Sequence, residues 1–224
     1  DWISRVYVTE SLTADESLMK QVMELPEEKR EIVADNVFRQ MCDTRTPQGI
    51  LTVLKKPVWT VEDILKGDAP LVMVLEDLQD PGNAGTIFRT GEGAGVSGVF
   101  LTKTCVDITN PKVIRSTMGS VYRMPFLYVE DVVSLKAELE QKGIRTFAAH
   151  LKGKNSYDQE DFTGSCGFLI GNEANGLTDE TAALADTYIR IPMMGKVESL
   201  NAAVASSVLM FEAARQRRNS KNSL

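Results

Sequence analysis

Histidine and cysteine, which carry most metal, redox and nucleophile chemistry, are scarce in this chain: one His and three Cys in 224 residues. Cys42, Cys105 and Cys166 stand far apart, with no Cys-x-x-Cys pair and no histidines beside them. A zinc site is therefore not expected, no metal is assigned, and the thiols read as reduced. His150 has no serine or cysteine nucleophile with acid support to serve, so it reads as a loop residue after a strand. Long apolar runs are missing too. The longest, 202–214, is broken by Ser206, Ser207 and Glu212 and is too short to span a bilayer. No signal peptide is visible, and a cytoplasmic protein is expected. Asp1-Trp2-Ile3-Ser4 reads as entry into a strand, so the opening of a domain is expected upstream. Excess basic charge is also lacking. The formal net charge of -6 argues against gripping nucleic acid by overall field, though not against a local basic patch.

Two phosphate-binding signatures are absent as well. Gly91, Gly93 and Gly95 look like the start of a dinucleotide loop, but Val96 holds the third glycine's place and the cluster precedes a strand. They read instead as a tight helix end packed close to a sheet. No Gly-x-x-x-x-Gly-Lys-Ser/Thr occurs, which disfavours a nucleotide-dependent oxidoreductase or kinase.

What is present is a globular composition, 43% hydrophobic and 25% charged, enough for one large domain or two modest ones. A first unit, 1–56, reads as a strand at 3–9, helices at 14–25 and 27–41, a Thr46-Pro47-Gln48-Gly49 turn and a strand at 50–54. Residues 57–69 read as a linker holding a short helix, 61–65, with Thr60 and Asp63 placed as a capping box. From residue 70 the pattern alternates. Strands are expected at 71–78, 98–102, 145–149, 166–171 and 188–192, and helices at 84–93, 111–119, 132–142, 178–185 and 202–218. Runs such as Leu71-Val72-Met73-Val74-Leu75 are apolar on both faces, as covered parallel strands must be. The fold class expected is α/β with a parallel sheet. Trp2 and Trp59 lie outside this region and read as packing or domain-contact residues.

Three polar turns, each after an apolar strand-like run, point to one composite site. The first is Pro81-Gly82-Asn83-Ala84-Gly85 leading to Arg89, with Asn83 suited to cap the helix. The second is Ile170-Gly171-Asn172-Glu173, where Gly171 permits close backbone approach and Glu173 offers an acceptor. The third is Ile191-Pro192-Met193 through Glu198-Ser199-Leu200-Asn201, just ahead of a long apolar helix. There one polar residue suffices as a cap and the other is spare. Open α/β sheets bind ligands at the carboxyl ends of their strands, where all three turns lie. Basic residues fall in small groups: Lys29-Arg30, Lys55-Lys56, Arg115 with Arg123, Lys152 with Lys154, and Arg215-Arg217-Arg218. Convergence of several on Arg89 would make a phosphate track.

In order and spacing these turns resemble the three motifs of the SpoU-type (TrmH-like) RNA ribose 2′-O-methyltransferases of the SPOUT superfamily. The likeness covers residues 71 to about 215, and 1–56 is similar to the ribosomal-protein-like substrate domain that often precedes them. The resemblance implies an α/β-knot domain at 70–224, with a deep trefoil knot, acting as a homodimer in the cytoplasm. It implies S-adenosylmethionine held by Gly171, Ile191 and Leu200, with Met193 and Ala148, and a catalytic set of Arg89, Asn83, Glu173, Ser199 and Asn201. The implied substrate is a ribose 2′-OH of structured RNA, 23S-type ribosomal RNA first, with transfer RNA or a non-catalytic RNA-binding relative as alternatives. A guanidinium is a poor base at neutral pH. Arg89 is thus expected to bind phosphate and stabilise alkoxide charge, with direct proton abstraction as the other possibility.

Overall fold

The structure, a computed structural model that describes residues 2–221, divides into two units, Asp1–Val58 and Trp59–Leu224. In the first, strand β1 (Ile3–Thr9) lies between β2 (Arg30–Val33), parallel to it, and β3 (Ile50–Leu54), antiparallel to it. Helices α1 (Glu16–Met23) and α2 (Asp35–Met41) connect them. Asp15 starts α1 by accepting from the Leu18 N–H at 3.0 Å. Val6, Val8 and Val22 form the core, with Leu12, Leu18 and Met19 packed against it.

The helix expected at 27–41 is not one helix. Glu27–Lys29 makes a single 3-10 turn, β2 follows, and α2 begins only after the extended Ala34. The Ile32, Val33 and Val37 spacing imitates a helical face, but the β-branched pair Ile32-Val33 suits a strand. The partner that decides it is distant in sequence, since Val8 pairs with Ile32 and Thr9 with Val33.

The second unit is a seven-stranded sheet in the order β6-β5-β4-β9-β7-β10-β8, with every pair parallel. The strands are β4 (Leu71–Leu75), β5 (Gly98–Thr102), β6 (Phe126–Val129), β7 (Arg145–Ala149), β8 (Asn155–Ser156), β9 (Cys166–Ile170) and β10 (Thr187–Arg190). The helices are α3 (Val61–Ile64), α4 (Pro81–Ala94), α5 (Pro111–Thr117), α6 (Val132–Gln141), α7 (Asp179–Ala183) and α8 (Ala202–Lys221). All five residues of β4 are buried, as its two-sided apolar run requires. On one sheet face Ile87 and Phe88 of α4, Val113 of α5 and Leu209 and Met210 of α8 enclose the core. On the other Ile64, Leu135, Leu139 and Ala182 do so. Burying each such side chain stabilises the fold by about 1.5–3 kcal/mol.

Besides β2, two strands were not foreseen: β6, a four-residue edge strand, and β8, which is two polar residues with no apolar signal. The Thr60–Asp63 capping box is present, but the segment it opens is packed, because Ile64 is fully buried against the sheet. Helix α4 begins three residues earlier than expected. Asp80, not Asn83, is its cap, accepting from the Asn83 N–H at 2.8 Å, with Pro81 at the first position. The helix ends at Gly95 in the left-handed region, φ 82°, as the glycine cluster foretold.

Candidate active site at the carboxyl edge of the sheet

Parallel β4, β9, β7 and β10 deliver their carboxyl ends to one side, and the loops that follow carry the three polar turns. One chain of hydrogen bonds joins them. The Glu173 carboxylate, exposed after β9, accepts from the backbone N–H of Gln79 (3.2 Å) and Asp80 (2.9 Å) and from Asn83 Nδ2 (3.0 Å). Asn83 Oδ1 accepts in turn from Asn201 Nδ2 at 2.9 Å. Asn201 Oδ1 caps α8, accepting from the Ala203 N–H (2.9 Å) and the Val204 N–H (3.2 Å). Partial desolvation raises the Glu173 pKa, but the bonds from Asn83, Asp80 and Gln79 outweigh it and hold the carboxyl below its ordinary value. It is ionised at neutral pH and acts only as an acceptor.

A second set of contacts shapes the loop after β9. Asn172 donates through Nδ2 to the Asp77 carbonyl at 2.8 Å, and its Oδ1 accepts from the Ala174 and Asn175 N–H groups. A two-residue bridge between Asn172 and Gly176 folds the loop back on itself. A Cβ on Gly171 would stand 2.0 Å from the Gly176 carbonyl carbon, so only glycine lets this loop close. Glu76, 9% exposed, accepts from the Thr178 N–H (2.8 Å), the Thr178 hydroxyl (2.9 Å) and the Thr181 hydroxyl. That fixes the far end of the same loop to β4.

Between these loops lies a cavity of about 260 Å³. Its walls include Ala149, His150, Ile170, Gly171, Glu173, Leu177, Ile189, Ile191, Met193, Ser199 and Leu200. Four of the expected cofactor residues thus line it: Gly171, Ile191, Met193 and Leu200. Ala148 does not. It is fully buried on the opposite sheet face with Val72 and Leu169, and strand alternation gives the lining place to Ala149. Among the described residues, 192–200 make no backbone–backbone hydrogen bond, so this rim offers N–H and C=O groups to a ligand.

Of the expected catalytic residues, Glu173 and Ser199 line the cavity, and Asn83 and Asn201 stand in the network behind its lip. Arg89 is not part of the wall. It sits six residues after Asn83 on α4, about 9 Å along the axis, its side chain exposed and with no hydrogen bond or ion pair to another described residue. It shares a helix face with Gly85, where α4 crosses α5 so tightly that a Cβ would meet Ser116 Oγ at 1.8 Å. Arg115, beside Ser116, is likewise exposed and without such a partner among the described residues.

Most other basic groups are committed elsewhere. Arg123 is paired with Glu92, and Arg215 with Glu212. Lys152 reaches Asp179. Arg217 donates to the carbonyls of Ala69, Phe162 and Gly164. Ala149, His150, Glu76 and Asp80 were missed as site residues by sequence reasoning. The available signal was position alone, since each follows or ends a strand on the ligand-binding edge.

Likeness to known proteins spans the part of the chain that carries these loops. The model of the SpoU rRNA Methylase family matches residues 70–211. The chain is 31% identical to human mitochondrial rRNA methyltransferase 3 over 81% of its own length and 56% of that protein's. It is 31% identical to the 23S rRNA (guanosine(2553)-2′-O)-methyltransferase RlmP of Bacillus subtilis, covering 80% of this chain and 70% of the relative. The structure of an AdoMet-bound rRNA methyltransferase from Sinorhizobium meliloti superposes with a TM-score of 0.81 at 29% identity, over 96% of this chain and 80% of that one. The chain belongs to the SpoU rRNA methylase family.

Proposed function

We propose that the protein transfers a methyl group from S-adenosylmethionine to a ribose 2′-hydroxyl of structured RNA, with large-subunit ribosomal RNA the first candidate. The observation that carries this is the Asn201–Asn83–Glu173 chain, which ties the three motifs together beside one apolar-walled cavity. The names of the relatives from Bacillus subtilis and Homo sapiens support the choice of ribosomal RNA. The chain spans little more than half of the human relative's length.

The cavity suits the cofactor. Ile170, Leu177, Ile189, Ile191 and Leu200 give apolar surface for an adenosine ring, and the open backbone of 192–200 gives hydrogen-bonding groups for its polar edges. S-adenosylmethionine supplies an electrophilic methyl carbon on a positively charged sulfur. The ribose oxygen would take that methyl group, the sulfur leaving with the carbon–sulfur electron pair as a neutral thioether and the hydroxyl proton passing to solvent. Glu173 and Asn83 hold the first turn of α4, which sets the direction in which Arg89 is presented. Arg89, permanently cationic, binds the phosphate beside the target ribose and stabilises the charge that grows on the oxygen. Asn201 locks the rim loop to Asn83, and Ser199 orients the ribose from the cavity wall.

The same reading includes a trefoil knot formed by the Ile191–Asn201 region, a homodimer with the site near its interface, and a cytoplasmic setting. In it, 1–56 is part of an RNA-binding domain that leads through 57–69 into a methyltransferase domain at 70–224. The half-exposed Val204 and Phe211 on α8 give apolar surface for self-association. The test is calorimetric titration with S-adenosylmethionine and, separately, NAD, followed by mapping 2′-O-methyl sites in RNA from cells with and without the protein. Heat with the first alone and one lost methyl site are expected. No heat with S-adenosylmethionine overturns the reading.

A further inference from the structure

The first unit has a concavity of its own, outside the carboxyl ends of the parallel strands β1 and β2, where open sheets place ligands. It measures about 170 Å³, and Ser11, Leu12, Asp35, Arg39, Pro47 and Gln48 supply most of its wall. The methyl-transfer machinery described above uses none of them. Leu12 and Pro47 offer apolar surface, backed by the fully buried Phe38. Gly49, at φ 86°, lets the Pro47–Gly49 turn close on the end of β1, because a Cβ there would meet Thr9 Oγ1 at 2.8 Å.

The polar groups are the informative part. The side chains of Arg39 and Gln48 are exposed and bond to no other described residue. Asp35 Oδ1 accepts from the Ser11 N–H at 3.3 Å and the Ser11 hydroxyl at 3.0 Å, and Oδ2 has no partner among the described residues. Over residues 1–58 ten acidic side chains face eight basic ones, so no positive field draws a polyanion to this unit. Whatever binds here is held by local fit. The fit is to a flat ring, with apolar contact for its face, a guanidinium fork for paired acceptors and a carboxylate for adjacent N–H donors. Guanine is the base with that pattern, O6 and N7 on one edge and N1–H with the N2 amino group on another.

We propose that this concavity holds one unstacked guanosine of the RNA substrate, with Arg39 on O6 and N7, Asp35 on the N1–H and N2 amino edge, and the ring against Leu12 and Pro47. The source of the guanosine rests on the RNA-methylating reading above. The groove is too small for a duplex, and single unstacked bases are the usual targets of sequence-specific RNA recognition.

The test is a nuclear magnetic resonance titration of the nitrogen-15-labelled full chain with GMP, AMP, CMP and UMP in turn. GMP is expected to move the Ser11, Gln48 and Gly49 amides saturably and more strongly than the other three. Arg39→Ala should weaken that response about tenfold, and Asp35→Asn should erase the preference of GMP over AMP. Equal shifts from all four nucleotides, no shift from any, or a GMP response untouched by Arg39→Ala would each overturn the proposal. S-adenosylmethionine added to the same sample should leave these amides unmoved and shift those of Gly171 and Leu200. If it fails to bind while the GMP response stands, the methyltransferase reading falls and the guanosine site remains.

Discussion

Two carboxylates organise the second unit from opposite edges of its sheet, and they are satisfied in different ways. Asp186, just before β10, accepts from Lys136 Nζ at 2.8 and 2.9 Å and from the Thr146 N–H and hydroxyl at 2.7 and 2.8 Å. Its charge is cancelled by a lysine that is itself only 8% exposed. Glu173, at the carboxyl edge, is satisfied by backbone N–H groups and an amide, with no cation among its partners. In both, desolvation raises the pKa and hydrogen bonds more than compensate, so both are held below the ordinary carboxylate value. The difference lies in what is left over. The Asp186 hub is closed on the buried Lys136, as a structural link should be. The Glu173 hub leaves a net negative charge on the wall of a cavity and leaves Arg89 without a carboxylate partner among the described residues. Dipoles hold the site together, which leaves its full charges to the cationic cofactor and anionic substrate of the proposed reaction.

The sharpest way to break this contrast is to remove the uncommitted Arg89 cation. Arg89→Ala should cut methyl transfer to RNA by about two to three orders of magnitude, as losing a preorganised charge contact does elsewhere. Affinity for S-adenosylmethionine, measured by calorimetry, should stay within a few-fold, because Arg89 is not part of the cavity wall. Lost cofactor binding would move Arg89 out of the role assigned to it.

Gly171→Ala tests the loop that carries the Glu173 hub. The added Cβ would overlap the Gly176 backbone at 2.0 Å, and backbone cannot swing aside as a side-chain tip can. Cofactor affinity should fall at least about tenfold, for a cost of about 1–3 kcal/mol. The melting temperature should fall too. Unchanged binding would mean that the loop closes by another route.

The third prediction sets the two hubs side by side. Glu173→Gln keeps the shape, loses the charge and turns one acceptor into a donor facing N–H groups. It should lower methyl transfer about tenfold or more while shifting the melting temperature little. Asp186→Asn leaves Lys136 without its charge partner there, though Glu140 still lies 3.0 Å from Nζ. It should lower stability by about 1–2 kcal/mol, less than for a fully buried pair because Asp186 is 39% exposed, and leave the reaction rate alone. The opposite assignment of rate and stability would sink the contrast.

How much of this was legible beforehand depended on where each signal was stored. β4 and β9 could be read directly, because strands covered on both faces are apolar throughout. β2 and β8 could not. Their existence rests on pairing with β1 and β10, which no local pattern records. At the site, the polar character of Asn83, Glu173 and Asn201 was visible, but their bonds to one another span 90 and 118 residues of chain. Asn83 reads as a cap because it stands near a helix start, but Asp80 takes that place in the fold and frees the Asn83 amide for Glu173. Ala148 and Ala149 differ by one step of strand alternation. Choosing between them required knowing which sheet face carries α8.

The smallest expected effect concerns a charge pair that ties Arg123 to Glu92, on the helix that carries Arg89. Glu92 accepts from Arg123 and from the Ser120 hydroxyl, and these bonds lower its pKa to about 2. A carboxyl depressed in the folded state contributes stability that is present above the unfolded value, roughly 4.3, and is lost as pH falls through the folded one. The pair is largely exposed, so solvent screening leaves it only a small stabiliser at neutral pH. Glu92→Gln should therefore lower the melting temperature at pH 7 by about 1–3 °C. The gap from wild type should narrow as pH falls from about 4.3 towards 2, where the wild-type carboxyl takes up its proton. Methyl transfer should be unaffected, since Arg123 is tied to α4 rather than to the cavity. A rate loss in Glu92→Gln would instead make Arg123 part of the substrate surface, with Glu92 holding it in reserve.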